Sequence, residues 1–318
     1  MLTTPMCDMF GTTVPIWNAG MGGGLAGVDL ATAVSEAGGL GVLGMGGLPA
    51  DAIVEHIRQL RARTDRPFGV NLIMPLMDDA ALQCCLDERV PTLILFWGDP
   101  APYVERAHAV GTRVVVQVGS VEQARSAATA GVDAVMVQGA EAGGHNRATE
   151  PLTTVLPAVV SAVAPTPVIA AGGIADGRGL LAALDQGAQA VSLGTRFLCS
   201  DESGAAPAYK ERIVQARAED TLLTTAFDLE WPDAPHRVLH NRVTEAWEAA
   251  GSPRLPERRY SISMPMLGFE GDLNDQALYC GESCSRIDDI RPAAEIVRTV
   301  VEDAEALLRD RSAEARDG

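Results

Sequence analysis

Eight short runs rich in Val, Ile and Leu recur through the first two thirds of the chain, each bounded by Gly or Pro and each too short for a helix. They occupy residues 14–21, 39–44, 68–73, 92–98, 113–119, 134–139, 167–173 and 190–197, so that successive starts lie 21 to 33 residues apart. That interval holds one strand, one helix and two loops. The runs are nearly continuous in apolar residues instead of alternating, as parallel strands covered on both faces are. Between them, residues 30–37, 50–63, 121–130 and 179–186 carry apolar side chains at three- and four-residue spacing, and several end at Gly as a helix does. Eight βα units predict a closed (β/α)8 TIM barrel over an open doubly wound sheet, with Gly44, Gly98, Gly119, Gly139 and Gly173 turning the chain at its C-terminal rim.

From Asp220 the repeat stops: Pro232, Pro235, Pro253, Pro256 and Pro265 interrupt the chain, and Trp231 and Trp247 fall here. A last amphipathic stretch, 292–309, reads as a helix with Ala294, Val297, Val301 and Leu308 on one side. The division expected is a barrel over 1–219 and, over 220–318, a mostly helical C-terminal extension or small subdomain packing on it; 318 residues accommodate both. Forty-two acidic against 25 basic residues give a net charge of −17, a field that repels phosphate backbones and anionic lipid, so neither nucleic acid nor membrane is expected as a partner. There is no basic segment followed by a long apolar run at the start and no 18-residue uncharged apolar stretch, so a cytoplasmic protein is expected. A homo-oligomer is compatible with all of this. The six cysteines read as reduced thiols; Cys280 and Cys284 lack a second pair or a His cluster, and no metal is expected.

Barrel active sites lie at the C-terminal strand ends, with phosphate commonly held after the seventh and eighth strands. Those ends read A-A-G-G-I-A-D-G (170–177) and S-L-G-T-R-F (192–197), and backbone N–H groups of Gly172, Gly173, Gly194 and Thr195 could converge there on a phosphate. The Thr195 hydroxyl adds a donor; the competing reading is that these glycines only turn the chain. The sixth run ends Q-G-A-E-A-G-G-H-N-R (138–147), placing Gln138 at a strand end and His145, flanked by Gly143 and Gly144, on a rim loop. A pKa near neutrality would suit His145 to exchange a proton at working pH. Glu141 and Arg147 are expected to hold the loop or face solvent. Asn71, and more weakly Gln117, end strands where an amide could meet the polar edge of a heterocycle. The glycine run at 20–24 lacks the setting of a dinucleotide fold and is not read as an NAD site.

The segments A-V-S-E-A-G-G-L-G-V-L-G (33–44), F-G-V-N-L (68–72), Q-G-A-E-A-G-G-H (138–145), P-V-I-A-A-G-G-I-A-D-G (167–177) and G-T-R-F (194–197) resemble the flavin-dependent nitronate monooxygenases, formerly called 2-nitropropane dioxygenases. The late segments P-H-R-V-L-H-N-R (235–242) and D-D-I-R-P-A-A-E-I-V (288–297) resemble that family as well, so the likeness spans most of the chain. It implies an FMN-containing barrel, with the FMN phosphate in the glycine site above. It also implies flavin contacts from Asn71, Gln138, Gly143, Gly144, Gly172, Gly173 and the run Ser192, Leu193, Gly194 and Thr195, with Ala19, Gly20 and Met21 along the isoalloxazine. By the same resemblance His145 is the catalytic base, taking the proton beside a nitro group or orienting the nitronate, which is oxidised with O2 to a carbonyl compound and nitrite. Two departures bear on substrate: the family usually has a proline where Gly20 stands and a glycine where Arg147 stands. The motifs are also similar to flavin-dependent, NAD(P)H-using enoyl-acyl carrier protein reductases; the charge of −17 disfavours an acidic carrier protein, although Arg254 to Arg259 offer a basic patch. A flavin-binding barrel without turnover is the third reading.

Overall fold

The computed structural model describes residues 2–227, 229–251 and 261–317, so Arg254 to Arg259 fall outside the described residues. Its strands are β1 (Ile16–Asn18), β2 (Gly41–Gly44), β3 (Phe68–Ile73), β4 (Thr92–Phe96), β5 (Arg113–Val118), β6 (Ala134–Gln138), β7 (Gly144–His145), β8 (Val168–Ala171), β9 (Ala190–Leu193), β10 (Thr221–Thr224) and β11 (His236–Leu239). The helices are α1 (Pro5–Phe10), α2 (Val28–Glu36), α3 (Ala50–Arg61), α4 (Asp79–Asp87), α5 (Ala101–Ala109), α6 (Val121–Thr129), α7 (Leu152–Val163), α8 (Gly177–Asp185), α9 (Thr195–Leu198), α10 (Pro207–Val214), α11 (Arg242–Ala249) and α12 (Ala293–Asp317). The eight apolar runs form one parallel sheet in the order β1-β9-β8-β6-β5-β4-β3-β2, and a parallel bridge between Trp17 and Leu40 joins its two ends. This is the expected (β/α)8 barrel.

Alternation along each strand divides the core in two. Val70 and Leu72, Val114 and Val116, Val135 and Val137, and Val191 and Leu193 face the helices in the outer layer. Trp17, Leu40, Val42, Ile94, Val115, Met136 and Ile169 fill the barrel itself. Truncating one such buried aliphatic to Ala costs about 2–5 kcal/mol. Helix α1, too short for periodicity to reveal, plugs the barrel floor: Met6 and Phe10 join the inner cluster, Phe10 meeting Trp17 edge-on at 4.9 Å. Gly11, at φ +71, ends that helix in the left-handed region.

Helices α2 to α8 each follow a barrel strand, and the place after β9 is filled by the last helix of the chain. α12 packs against α8 and α2 and lays Ile296, Val297, Val300 and Val301 into the outer core. A side chain on Gly177 would come within 2.4 Å of the Ala304 nitrogen, so glycine there lets the two helices close. The segment between β9 and α12 crosses the C-terminal rim. It contains α10 and α11, and also β10 and β11, which pair antiparallel and add β7 as a third strand. Among the described residues no helix is long and apolar enough to cross a membrane.

Candidate active site

The last inward-facing positions of successive strands meet at one level of the barrel. Phe96 stands opposite Gln117, Gln138 opposite Ala171, and Ala171 opposite Ser192. With Asn71 of β3 they line a cavity at the C-terminal rim holding ≈ 1240 Å³ of empty space, its mouth included. Ala19, Gly20 and Met21 after β1, Gly143, Gly144 and His145 after β6, Gly172 and Gly173 after β8, and Gly194 and Thr195 after β9 line the same cavity. Leu193 does not: its side chain points into the outer core, and its carbonyl accepts the Ala19 N–H at 2.9 Å. Period-two alternation assigns it that face, since its neighbour Ser192 points inward.

One end of the cavity is open backbone. Gly172 and Gly173 lie at φ +99 and +70, the left-handed region that favours glycine, and a side chain on Gly194 would meet only the Ala19 Cβ, at 3.6 Å. The Thr195 Oγ1 accepts the Gly281 N–H at 3.0 Å, which leaves its own proton to donate into the cavity. Ser283 lines this end too, and Arg286 Nη1 donates to the Gly173 carbonyl at 3.4 Å. Three polar atoms of lining residues are buried without a protein partner: Ser192 Oγ, Gln138 Oε1 and His145 Nε2. A buried unpaired group costs about 1–3 kcal/mol, so three of them lining one cavity mark it as a place that a polar ligand completes.

The glycine loop carrying His145 is held from both sides. Asn146, buried, donates from Nδ2 to the carbonyls of Gly139, Ala140 and Ala142 and accepts the Ala148 N–H. Glu141 accepts the Leu152 N–H at the start of α7, so it secures the loop, one of its two expected roles. On the other side the rim segment pairs with the loop, setting His236 opposite His145 and passing Gly281 so close to Gly143 that a Cβ there would lie 2.4 Å from the Gly281 nitrogen. Burial, and then the neighbouring His236, push the His145 imidazole down to about 3. The expectation of a near-neutral pKa is corrected by this: with its ring desolvated among aromatic side chains, the imidazole stays uncharged over the whole working range.

The opposite end of the cavity is apolar and aromatic, lined by Ile73, Leu76, Phe96, Trp231, Ile262, Met264 and Tyr279. Trp231, His236 and Tyr279 were not identifiable from the sequence as site residues, because β11 has no counterpart in the βα repeat. Arg147 is exposed, its guanidinium lying 5.2 Å from the Trp97 ring. Asn71 donates from Nδ2 to the Ile94 carbonyl at 3.1 Å, and Gln117 lines the cavity.

A sequence model of the family described as nitronate monooxygenase matches residues 3–82 and 77–303. The chain is 33% identical to a nitronate monooxygenase of Pseudomonas aeruginosa, covering 95% of this chain and 99% of that one. It is 38% identical to a (3aS,4S,5R,7aS)-5-hydroxy-7a-methyl-1-oxo-octahydro-1H-indene-4-carboxyl-CoA dehydrogenase of Mycobacterium tuberculosis, over 80% of this chain and 70% of that protein. Among solved structures, FabK from Thermotoga maritima superposes with a TM-score of 0.85 at 35% identity, over 99% of this chain and 100% of that one.

Proposed function

The chain belongs to the nitronate monooxygenase family, and from that premise we propose that it is a flavin-dependent oxidoreductase that oxidises alkyl nitronates with O2 to carbonyl compounds and nitrite. The observation that carries this reading is that one cavity at the C-terminal rim is lined both by an open glycine cradle and by three residues with buried, partnerless polar atoms, Gln138 Oε1, Ser192 Oγ and His145 Nε2. The residues present fit FMN. The backbone of Gly172, Gly173, Gly194 and Thr195, with the Thr195 hydroxyl, would take the phosphate, with Ser283 and Arg286 beside it. Asn71, Gln138 and Ser192 would face the polar edge of the ring system, and Ala19, Gly20 and Met21 would lie along its face. When bound, the flavin supplies one-electron redox capacity and reaction with O2, which no side chain has.

The chain's own residues bind, orient and exclude water. A neutral imidazole with a partnerless Nε2 can hydrogen-bond a nitronate oxygen without first losing a proton to solvent. It takes a proton from a neutral nitroalkane only as negative charge develops beside it, because burial disfavours the lone imidazolium. Preformed nitronates are therefore the easier substrates. The aromatic end of the cavity supplies an apolar surface for the alkyl part.

A second reading rests on the named relatives: at 33 to 38% identity the chain stands about equally far from proteins with three different names. It is an NAD(P)H-dependent enoyl-acyl carrier protein reductase-like enzyme, for which the net charge of −17 makes a poor docking surface. The deciding experiment is oxygen uptake by the FMN-loaded protein with small nitronates, run beside anaerobic NADH and NADPH reduction traces. Oxygen consumption with nitrite release and no rapid reduction by either nucleotide supports the monooxygenase. Rapid nucleotide-driven bleaching without nitronate turnover moves the protein to the reductase reading, and a yellow protein that does neither is a flavin-binding barrel without turnover.

A further inference from the structure

The His145 ring is aimed without a hydrogen bond: Nε2 has no partner, and no described residue hydrogen-bonds to the other ring nitrogen. What touches the ring is aromatic. The indole of Trp231 stacks on it with centroids 4.2 Å apart and planes at 27°, and the edge of Trp97 meets Trp231 at 4.7 Å. Trp97 itself lies at φ +69, a conformation that costs a bulky residue of order 1–3 kcal/mol and persists only where the surroundings enforce it. The Arg147 guanidinium on its outer face and Trp231 on its inner edge are those surroundings. Trp231 is only 6% exposed and packs in one cluster with Phe96 and Ala234, against Ile73 and Leu76. It stands on the rim segment between β10 and β11, outside the βα repeat.

We propose that Trp231 is the positioning residue for His145 and, through the apolar wall it forms with Ile73, Leu76 and Phe96, restricts the site to nitronates with a short aliphatic body. The substrate half of this proposal rests on the nitronate reading above; the positioning half does not. Stacking holds the imidazole at one tilt and keeps water from its face, so the ring meets a bound anion in a fixed direction. A short alkyl chain fits between that ring and the wall, whereas a longer one meets the indole.

The test uses FMN-loaded holoenzyme carrying Trp231→Leu and Trp231→Phe, with Trp231→Met in place of the leucine variant should that one not fold. The first readout is the 15N-edited spectrum of the histidine side chains against pH, with His145 assigned by its disappearance in His145→Asn. The titratable groups against the ring are His236 and Tyr279, with Arg147 one ring removed on Trp97, and none of them is altered. Trp231→Leu is expected to bring the His145 titration up towards the ordinary range near 6.5, and Trp231→Phe to leave it where it is in the wild type. An unchanged titration in a folded Trp231→Leu protein overturns the positioning role. The second readout is kcat/KM for ethyl, butyl and hexyl nitronates. Trp231→Leu should raise the hexyl-to-ethyl ratio at least tenfold, mainly through KM, with Trp231→Phe near the wild type. A ratio that does not move overturns the specificity role. Absence of nitronate turnover in the wild type overturns the functional reading and the substrate half together, and the imidazole titration still decides the positioning half.

Discussion

Paired across β7 and β11, His145 and His236 face each other with ring centroids 5.2 Å apart. The ring nitrogens of His236 are committed to backbone: Nε2 accepts the Phe227 N–H, so Nδ1 carries the proton it donates to the Ala234 carbonyl at 2.8 Å. His145 has no such bonds, and burial together with His236 holds it at about 3. An ordinary histidine in the unfolded chain titrates near 6.5, so between about 6.5 and 3 the unfolded state binds a proton that the folded state refuses.

Stability should therefore be greatest above about pH 6.5 and fall as pH drops towards 3, by roughly 1.4 kcal/mol per pH unit for this one group. Urea unfolding of wild type and His145→Asn at several pH values isolates it, since all other groups are common to both. The wild type should lose stability relative to the variant on acidification; parallel profiles would show that His145 is not depressed.

The barrel was legible because its signal repeats. Eight apolar runs separated by helical patterns leave few ways to close a sheet, and the glycines at 143, 144, 172, 173 and 194 all fall on the rim cavity, as the repeat required. Within the run 192–195, strand alternation sends the Ser192 side chain inward and the Leu193 side chain into the outer core, a distinction that the motif as a continuous run does not carry. The aromatic wall was not legible at all. Trp231 reaches His145 through long-range antiparallel pairing of β11 with a two-residue strand, and no local periodicity announces so short a partner. The depressed pKa of His145 is hidden from the sequence for the same reason, because Trp231, His236 and Tyr279, which pack on its ring, come from the rim segment. α12 had a visible helical pattern, but its place in the outer ring depends on Gly177 admitting it, a contact between residues far apart in sequence.

Replacing His145 separates its two proposed contributions. In His145→Asn the amide can still hydrogen-bond a nitronate oxygen but cannot take a proton. FMN should stay bound, oxidation of preformed nitronates should fall within about tenfold, and oxidation of neutral nitroalkanes should fall by about 10²–10⁴. Equal losses on both substrates in stopped-flow flavin reduction would remove the proton-transfer role.

The glycine cradle gives a test that needs no substrate. Gly173 lies at φ +70, a conformation that strains any side chain, and a Cβ there would lie 3.5 Å from the Glu141 Cβ, so an aspartate both distorts the cradle backbone and sets a second carboxylate next to Glu141. Gly173→Asp should purify colourless, with less than a tenth of the wild-type flavin content, while its far-UV circular dichroism remains that of a folded barrel. Normal flavin occupancy in that variant would place the phosphate elsewhere.

Gly20 and Asn71 make the closest approach between a rim loop and a site side chain: a Cβ on Gly20 would lie 2.3 Å from the Asn71 Cβ and 2.7 Å from its Oδ1. The proline usual in the family at this place would bring such a carbon, so a side chain at position 71 in the present orientation requires glycine at 20. Gly20→Ala must push Asn71 aside, which breaks its bond to the Ile94 carbonyl and costs about 1–3 kcal/mol. The melting temperature should fall by about 2–4 °C per kcal/mol, and flavin affinity should weaken about tenfold as the amide leaves its place. Removing the obstacle in Gly20→Ala/Asn71→Gly should recover part of the stability lost in Gly20→Ala, but none of the flavin affinity, a non-additive result expected of residues in contact. Additive losses in a double-mutant cycle would show that the two residues do not meet.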